Sequence, residues 1–263
     1  MLVDRYTLER IFKHIGLQCK GVLHVGAHYC EELEVYKYHL NVEYNKILWI
    51  EPQEEPVLDA RKRHIENVFQ LLISDKDDEL VDFNIASNKE SSSMLEFEKH
   101  TEYHPDVSYV EKMQMKTIRL DTFFALYNLD PREHDFWNID VQGAEMLVLK
   151  GGVDAIKHAN AIFIEVNKEE LYKGCPLIQD IDDHLTSEGF TRIYTEMKEE
   201  YKWGDALYVR NKYVNFEQTL RTLFQSNKLL TDYTKTIEQT TFKDLVHIIN
   251  ETHKLSADNA SNT

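Results

Sequence analysis

Hydrophobic and polar residues alternate along this chain in blocks that predict short buried strands separated by helices. Apolar runs of strand length include VLHV, ILWI, VFQLLIS, FWNI and AIFIEV. Between them, apolar residues recur at helical spacing. One such segment runs from Glu31 to Leu40, and another, LIQDIDDHLTSEGF, ends near Gly189. Strands that alternate with helices are typical of an open, mostly parallel α/β sheet that binds its ligand at the carboxyl ends of the strands.

The two ends of the chain are predicted to differ from this pattern. An amphipathic helix is expected within residues 1–20, and TRIYTE and GDALYVR predict an antiparallel pair of strands that closes a domain over residues 1–210. No glycine or proline occurs between Gly204 and Thr263, and apolar residues recur there at helical spacing. Residues 211–263 are therefore predicted to form a helical extension that packs on the domain or on a second copy, which makes a homodimer possible.

The middle of the chain breaks the regular alternation. LVDFNIA alternates apolar and polar residues, which favours a half-exposed strand or the arm of a hairpin. SNKESSSMLEFEKHTEYHP follows, and its serines, charges and histidines predict an exposed polar loop that lies outside the core. Asp121 is the expected N-cap of the next helix.

Charge and composition exclude several classes of function. The 263 residues carry a formal net charge of −16, which argues against sequence-independent binding of nucleic acid and against an anionic membrane surface. No apolar stretch approaches the about 20 residues that span a bilayer. Three cysteines without metal-like spacing indicate reduced thiols, so a cytoplasmic protein is expected.

Acidic residues end several of the predicted strands, and one of them follows a small-residue turn. Gly26 and Ala27 form that turn after the first strand, and Glu51 comes 25 residues after Gly26. An acid at roughly this offset, about 20 residues, binds the ribose hydroxyls of a nucleotide in βαβ units. Such a residue suits NAD or S-adenosylmethionine equally, because both contain an adenosine with free hydroxyls.

The turn itself favours S-adenosylmethionine. A pyrophosphate requires the spacing G-x-G-x-x-G, but His28 and Glu31 occupy the later glycine positions. S-adenosylmethionine has no phosphate, and its cationic sulfonium and ammonium groups suit the acidic strand ends. An NAD-linked oxidoreductase is therefore the weaker alternative.

Several motifs resemble those of the FkbM-type S-adenosylmethionine-dependent methyltransferases over roughly residues 20–210. They occur in the order that the family shows: LHVGAH, LWIEP, SSSML, KHTEYHP, LDTF, NIDVQGAEMLVLKGG, IEVNKEELYKGC, EGF and WGDALYV. The resemblance implies a Rossmann-like class I methyltransferase fold with a mostly parallel seven-stranded sheet and helices on both faces. It also implies O-methylation, often of sugars or polyketides.

The resemblance further implies which residues contact the cofactor. Gly26 and Ala27 would lie under the methionine part, Glu51 at the ribose, Asp75 at the adenine and Asp140 near the methyl group. The neighbours expected to complete these contacts are His28, Pro52, Ser74 and Gln142. Two departures are noted: many members have aspartate at the position of His24 and glycine at the position of Cys30. His24 cannot supply a carboxylate for the cofactor ammonium.

Methyl transfer to oxygen requires a group that removes the hydroxyl proton, and Asp140, His104 and Glu165 are the candidates. Residues expected to bind the acceptor, a small molecule or glycan, are Ser93, His100, His104, Asn167, Tyr172 and Trp203. No motif demands a metal, although Asp140, Glu165 and Asp205 could together hold Mg²⁺. The leading hypothesis is thus an O-methyltransferase that acts on a sugar or glycan. A non-catalytic interaction module with a degenerate methyltransferase fold is the alternative from another class.

Overall fold

The computed structural model describes residues 5–214 of the chain. Its helices and strands, in chain order, are α1 (Arg5–Ile15), β1 (Val22–Val25), β2 (Ile47–Ile50), α2 (Glu54–Lys62), β3 (Val68–Phe69), β4 (Leu72–Ser74), β5 (Leu80–Ala86), α3 (His100–Tyr103), β6 (Tyr109–Arg119), α4 (Leu120–Leu126), β7 (Phe136–Ile139), α5 (Glu145–Gly151), β8 (Ala161–Asn167), α6 (Ile178–Ser187), β9 (Phe190–Lys198) and β10 (Trp203–Arg210). Short 3-10 turns at Tyr44–Lys46, Pro131–Glu133, Ala155–His158 and Asn211–Tyr213 and a π-helical turn at Val35–His39 complete the elements.

Seven strands form the main sheet, in the order β3-β2-β1-β7-β8-β10-β9. The first five pair in parallel, whereas β10 runs antiparallel to both β8 and β9. Strands β1, β2, β7 and β8 are buried along their whole length, as expected when helices cover both faces of a parallel sheet. The predicted seven-stranded, mostly parallel sheet and its closing antiparallel pair are confirmed.

A second sheet of three strands, in the order β4-β6-β5, accounts for a difference from the predicted strands. The run VFQLLIS is interrupted at Gln70 and Leu71, so β3 pairs with β2 while β4 pairs in parallel with β6. Strand β5 pairs antiparallel with β6, as its alternation predicted for a hairpin arm. The chain thus leaves the main sheet after β3.

Two local predictions on helices are corrected. The expected helix from Glu31 to Leu40 is present in a shorter form: Leu33 and Glu34 are α-helical and continue into a π-helical turn over Val35–His39. Asp121 lies inside α4, and its carboxylate accepts hydrogen bonds from the backbone of Asp154 and Ala155. It therefore joins two segments instead of capping its own helix.

Part of the polar segment 87–105, predicted to be exposed, is instead buried. Ser93 is fully buried and His100 is 4% exposed. Asn84 of β5 and Ser93 exchange backbone hydrogen bonds, and the backbone of Ala86 donates to the Ser92 hydroxyl. These bonds draw the segment inward, because its backbone pairs with β5 and with the chain near Leu171.

The remaining predictions concern the two ends of the chain and the membrane-spanning length of its helices. Helix α1 occupies the region predicted for an N-terminal helix. No helix between residues 5 and 214 combines the length and the apolar character needed to span a bilayer. The predicted C-terminal helices and a dimer contact through them lie outside the described residues.

Gly151, at the end of α5, marks a close contact between the main sheet's helices and the second sheet. A Cβ atom at this position would lie 2.2 Å from the carbonyl oxygen of Ser74 and 3.3 Å from the backbone nitrogen of Leu120. We expect Gly151→Ala to lower the free energy of unfolding by at least about 2 kcal/mol, because two backbones must separate. Urea denaturation measures this loss.

Gly174→Ala is the matched control. Gly174 has φ of +75°, and no atom lies within 4 Å of the place that a Cβ atom would take, so the substitution costs only the strain of an L-residue in the left-handed region, about 1 kcal/mol. Equal losses in both variants would show that the contact at Gly151 does not constrain the fold.

Candidate active site

The ends of five neighbouring strands lie in register along one edge of the main sheet. Val25 is paired with Ile50 on one side and with Ile139 on the other, and Ile139 is paired with Ile164. The next residues along these strands therefore form a row, which continues onto β10 because Asp205 is paired with Glu165. We call this the edge row: Glu51, Gly26, Asp140, Glu165 and Asp205.

The turn after β1 brings backbone close to the centre of the edge row. Gly26 has φ of +84°, and a Cβ atom there would lie 1.7 Å from the carbonyl oxygen of Asp140, so only glycine fits. Gly26 and Ala27 both donate their N–H groups to the carbonyl of Ile50. The turn then continues through His28, which also has positive φ.

Two backbone N–H groups hold the carboxylate of Glu51, one from the turn after β1 and one from the segment after β2. It is 3% exposed, and its two carboxylate oxygens accept N–H groups of His28 (2.8 Å) and Gln53 (2.9 Å). Burial raises the pKa of Glu51, while these hydrogen bonds oppose the shift. Each oxygen retains a lone pair that can accept a hydroxyl group of a ligand.

His28 offers a further polar atom to this end of the site. Its Nδ1 lies 2.9 Å from Glu31, and its Nε2 is buried without a hydrogen-bond partner. Burial lowers the pKa of His28, but the hydrogen bond and charge of Glu31 outweigh burial and raise it overall. A ligand oxygen at Nε2 would satisfy this group.

His24, one of the two departures from the family pattern, is buried, and its Nδ1 lies 3.8 Å from a carboxylate oxygen of Glu32. Asn138 donates to the hydroxyl of Tyr36 (2.7 Å), and that hydroxyl lies 3.1 Å from Nδ1 of His24. Burial lowers the pKa of His24, with Glu32 opposing the shift. The imidazole is thus neutral near pH 7 and does not replace the carboxylate.

Gln142 joins the middle of the edge row. Its Nε2 donates to Asp140 (2.7 Å) and to Glu165 (2.8 Å), and its Oε1 accepts from the hydroxyl of Tyr172 (2.6 Å). Burial, together with the charges of Asp140, Glu145 and Asp205, raises the pKa of Glu165 well above its ordinary value. One amide group therefore orients two carboxyl groups that would otherwise repel each other.

Glu145 lies behind this arrangement and is fully buried. Its Oε1 accepts the N–H groups of Val141 and Gly143, whereas Oε2 has no hydrogen-bond partner. Burial, followed by the charge of Asp140, raises the pKa of Glu145 to about 7. Its position shapes the turn that carries Gln142.

Two histidines of the polar segment approach the edge row from above. The ring of His100 stacks on Phe97 with centroids 4.1 Å apart, and Nε2 lies 3.2 Å from the hydroxyl of Ser91. His104 follows α3, with its ring 4.9 Å from His100 and 4.8 Å from Tyr201. Burial and the neighbouring His104 lower the pKa of His100 to about 4.

A cavity of about 630 Å³ lies over the edge row. This volume falls within the range typical of cofactor and small-molecule sites. Its walls include most of the predicted site residues: Gly26, Ala27, His28, Glu51, Pro52, Asp140, Gln142, Glu165, His100, His104, Tyr172 and Trp203. The structure thus brings the proposed cofactor and acceptor residues together, and their individual roles stay predictions.

Four predicted site residues do not line this cavity. Ser74 is the last residue of β4 in the second sheet and Asp75 follows it, while Leu72 and Ile73 line the cavity instead. Ser93 lies behind the wall, where its hydroxyl donates to the backbone carbonyl of Gln142 (2.7 Å).

Asn167 is the fourth of these residues. It is fully buried, and its side-chain amide has no hydrogen-bond partner.

The structure also adds wall residues that the motifs did not identify. Asp205, considered from the sequence only as a possible Mg²⁺ ligand, lines the wall on the same face of β10 as Trp203, as the two-residue spacing indicates. Gln53 and Ser92 lie within 3.4 Å of each other although 39 residues separate them, so no local pattern could have indicated that contact.

Metal binding by the edge row is not supported by this geometry. Between residues 5 and 214, no group of three or more histidine, cysteine, aspartate or glutamate side chains is arranged to hold a metal ion. Asp140, Glu165 and Asp205 are thus not arranged as such a group, and a Mg²⁺ ion at these residues stays a prediction.

A Rossmann-like sheet with an acidic edge row beside a glycine turn is typical of α/β proteins that bind nucleotides. The chain matches the Methyltransferase FkbM domain over residues 24–192. It belongs to the FkbM methyltransferase family, as its motifs predicted. No curated protein sequence matches the chain at a significant level.

Solved structures with similar folds include three from bacteria. An FkbM methyltransferase from Methylobacillus flagellatus KT is 15% identical, with 73% of this chain and 44% of that chain covered and a TM-score of 0.47. A protein in the NADB-Rossmann superfamily from Streptococcus agalactiae is 11% identical, with coverages of 80% and 69% and a TM-score of 0.40. Magnesium protoporphyrin IX methyltransferase from Synechocystis PCC 6803, solved with bound SAM, is 13% identical, with coverages of 79% and 78% and a TM-score of 0.38. The chain thus spans less than half of the first structure's length.

The buried carboxyl of Glu145 predicts a pH-dependent contribution to stability. Its pKa of about 7 exceeds the about 4.3 of a free glutamate, so the unfolded chain ionises first as the pH rises. The free energy of unfolding therefore falls as the pH rises from about 4.3 to about 7, and the full loss is reached above pH 7. Glu145→Gln removes this titration. The free energy of unfolding of the variant minus that of the native protein should therefore rise by about 3 kcal/mol between pH 4 and pH 8.

Denaturant unfolding of both proteins across that pH range measures the difference. A difference between the two proteins that stays constant with pH would contradict the assignment of a raised pKa to Glu145.

Proposed function

We propose that the protein transfers a methyl group from S-adenosylmethionine to a hydroxyl oxygen of a sugar or glycan. Family membership supports methyl transfer. The observation that carries the proposal is the edge row, where Glu51, the Gly26 turn and Asp140 share one level beneath a single cavity. A cytoplasmic location stays a prediction.

The residues around the turn fit this cofactor. The remaining lone pairs of Glu51 suit the two ribose hydroxyls, and the buried Nε2 of His28 suits an oxygen of the cofactor. Asp140 and Glu32 line the cavity and provide negative charge for the cationic groups. His24 supplies none, so the cofactor ammonium depends on these carboxylates or on backbone carbonyls.

When bound, the cofactor supplies an electrophilic methyl group on a sulfonium. The protein must align the acceptor hydroxyl with that methyl group, exclude water and accept the hydroxyl proton. Burial and the neighbouring acids raise the pKa of Glu165, and its Oε2 accepts a hydrogen bond from Gln142. His104 lines the same cavity, and we assign it the role of proton acceptor, with Asp140 as the second candidate.

The acceptor half of the cavity combines aromatic and hydrogen-bonding groups. Trp203 and Tyr172 line it beside His100 and His104. An aromatic ring covers the apolar face of a sugar, while imidazole and carboxyl groups bind hydroxyls. Ser93 and Asn167, expected to contact the acceptor, lie outside the cavity wall.

A non-catalytic interaction module is the second candidate, and the neutral His24 is the observation that favours it. A protein without cofactor affinity would show no heat on titration with S-adenosylmethionine. Parallel titrations with NAD test the oxidoreductase alternative, which the bulky residues of the turn disfavour.

Glu51→Ala should weaken the binding of S-adenosylmethionine by about 1.5–3 kcal/mol, because hydrogen bonds to a charged group are lost. Calorimetric titration measures the affinity. Glu54→Ala is the control, since Glu54 is exposed at the start of α2 and does not line the cavity.

Glu51 also holds two backbone N–H groups, so a further variant separates binding from folding. Glu51→Gln retains an oxygen for one of them. If folded Glu51 variants bind the cofactor as tightly as the native protein, the ribose assignment is wrong.

His104→Ala should lower kcat by about 10²–10⁴ and leave cofactor affinity unchanged, because a general base is removed without altering the turn. Turnover is measured with an acceptor identified from a panel of sugars and glycans. Thr101→Ala, exposed on the same short helix, is the control. Full turnover by the His104 variant would transfer the role to Asp140 or Glu165.

A further inference from the structure

A stack of three aromatic rings holds His100 in the wall of the cavity. His100 is 4% exposed, and its ring lies on Phe97 with centroids 4.1 Å apart and planes inclined by 5°. Phe97 in turn stacks on Tyr109, with centroids 3.9 Å apart. The stack sets the plane of the imidazole, and the contact of Nε2 with the hydroxyl of Ser91 at 3.2 Å sets its direction within that plane.

The hydrogen bonds of Asn88 and Ser91 determine which nitrogen of His100 carries a proton. The backbone N–H of Ser91 donates to Oδ1 of Asn88 (3.1 Å), which orients the amide so that Nδ2 donates to the hydroxyl oxygen of Ser91 (3.0 Å). The serine hydroxyl has one proton of its own, and among the described residues Nε2 of His100 is the one acceptor for it. Nε2 therefore accepts a proton and carries none.

These bonds make His100 the neutral tautomer with its proton on Nδ1. Burial, followed by the charge of the neighbouring His104, lowers the pKa of His100 to about 4, so the ring is uncharged near pH 7. A neutral imidazole has a single N–H group, and here that group is Nδ1–H. Nδ1 is buried and has no hydrogen-bond partner in the part of the chain that the structure describes. Because buried donors normally have a partner, this N–H group points to an oxygen of a ligand.

His104, the proposed proton acceptor, lies next to this donor. The centroids of the two imidazole rings are 4.9 Å apart, and both residues line the cavity. Two hydrogen bonds of ordinary length, about 2.9 Å each, would reach neighbouring atoms of one ligand from these rings. A donor bonded to the reacting oxygen itself would compete for the lone pairs that attack the methyl group. Nδ1–H of His100 therefore suits an oxygen next to the reacting hydroxyl.

We propose that His100 donates Nδ1–H to a second oxygen of the acceptor, next to the hydroxyl whose proton passes to His104, so that the acceptor is a vicinal diol. The inference rests on the proposed methyl transfer and names the acceptor class. The reacting hydroxyl loses its proton to His104 as its oxygen bonds the methyl carbon, and the electron pair of the broken carbon–sulfur bond stays on sulfur. His100 keeps its proton and orients the diol, which presents one of two adjacent hydroxyls to the methyl group.

Two measurements on the full chain test this inference, and the first requires no ligand. Nitrogen–proton correlation spectra of the side chains distinguish the two neutral tautomers of histidine, and the His100 signals are identified by their loss in His100→Gln. We expect Nδ1–H in the native protein at pH 7 and a population of Nε2–H in Ser91→Ala. Ser87→Ala, at an exposed position outside the cavity, is the control and should keep Nδ1–H. An Nε2–H tautomer in the native protein would overturn the proposal.

The second measurement compares ring alcohols that differ by one hydroxyl group: cyclohexanol and the cis and trans isomers of cyclohexane-1,2-diol. The protein is first titrated with S-adenosylmethionine, and failure of that titration would overturn the proposed function itself. The probes are then added at millimolar concentration to protein saturated with S-adenosylhomocysteine, and saturation-transfer NMR measures binding.

We expect at least one diol isomer to bind about five- to tenfold more tightly than cyclohexanol, because it gains one further hydrogen bond. Cofactor binding combined with equal or weaker binding of both diols than of cyclohexanol would overturn the acceptor class alone. Absence of a signal from either diol would do the same.

A matched pair of variants separates the Nδ1 position from the rest of the ring. The amide of asparagine extends about as far as Nδ1 of histidine and that of glutamine about as far as Nε2, so His100→Asn retains a donor at the proposed place and His100→Gln does not. We expect His100→Asn to keep a preference for the diol of about threefold or more, and His100→Gln to bind diol and alcohol equally. Equal preferences in the two folded variants would overturn the proposal. If neither variant folds, the measurements on the native protein decide.

Discussion

The alignment of strand ends is the constraint on which the site depends. Hydrogen bonding fixes β2, β1, β7, β8 and β10 in a register that places the edge row at one level. A shift of one residue would turn each side chain to the opposite face of the sheet. The buried apolar residues of these strands prevent such a shift, so the core that stabilises the fold also places four carboxyl groups side by side.

Carboxyl groups so close together need hydrogen-bond donors nearby, and the protein supplies these donors in different ways. Glu51 accepts two backbone N–H groups, whereas Asp140 and Glu165 share the amide of Gln142. Burial and the neighbouring acids raise the pKa of Glu165. None of these means supplies a full positive charge, so the row remains suited to a cationic ligand.

The sequence predicted the main sheet and three acids of the edge row, Glu51, Asp140 and Glu165, because both depend on local patterns. A short apolar run followed by an acid marks the end of a buried strand, and successive parallel strands end at one edge. The burial of Ser93 and His100 was not predictable in this way. It depends on pairing with Asn84 and Leu171, and such long-range backbone contacts override the polar character of the segment.

The same long-range contacts connect the segment above the cavity to the centre of the edge row. The hydroxyl of Ser93 holds the backbone carbonyl of Gln142, and the hydroxyl of Tyr172 holds its side-chain oxygen. With both acceptors of Gln142 engaged, its amide nitrogen must face Asp140 and Glu165. The polar segment therefore determines the orientation of the site's central hydrogen-bond donor, although Ser93 itself does not line the cavity. Residues that appear from the sequence to belong to a surface loop thus set the geometry in which the acceptor hydroxyl would meet the methyl donor.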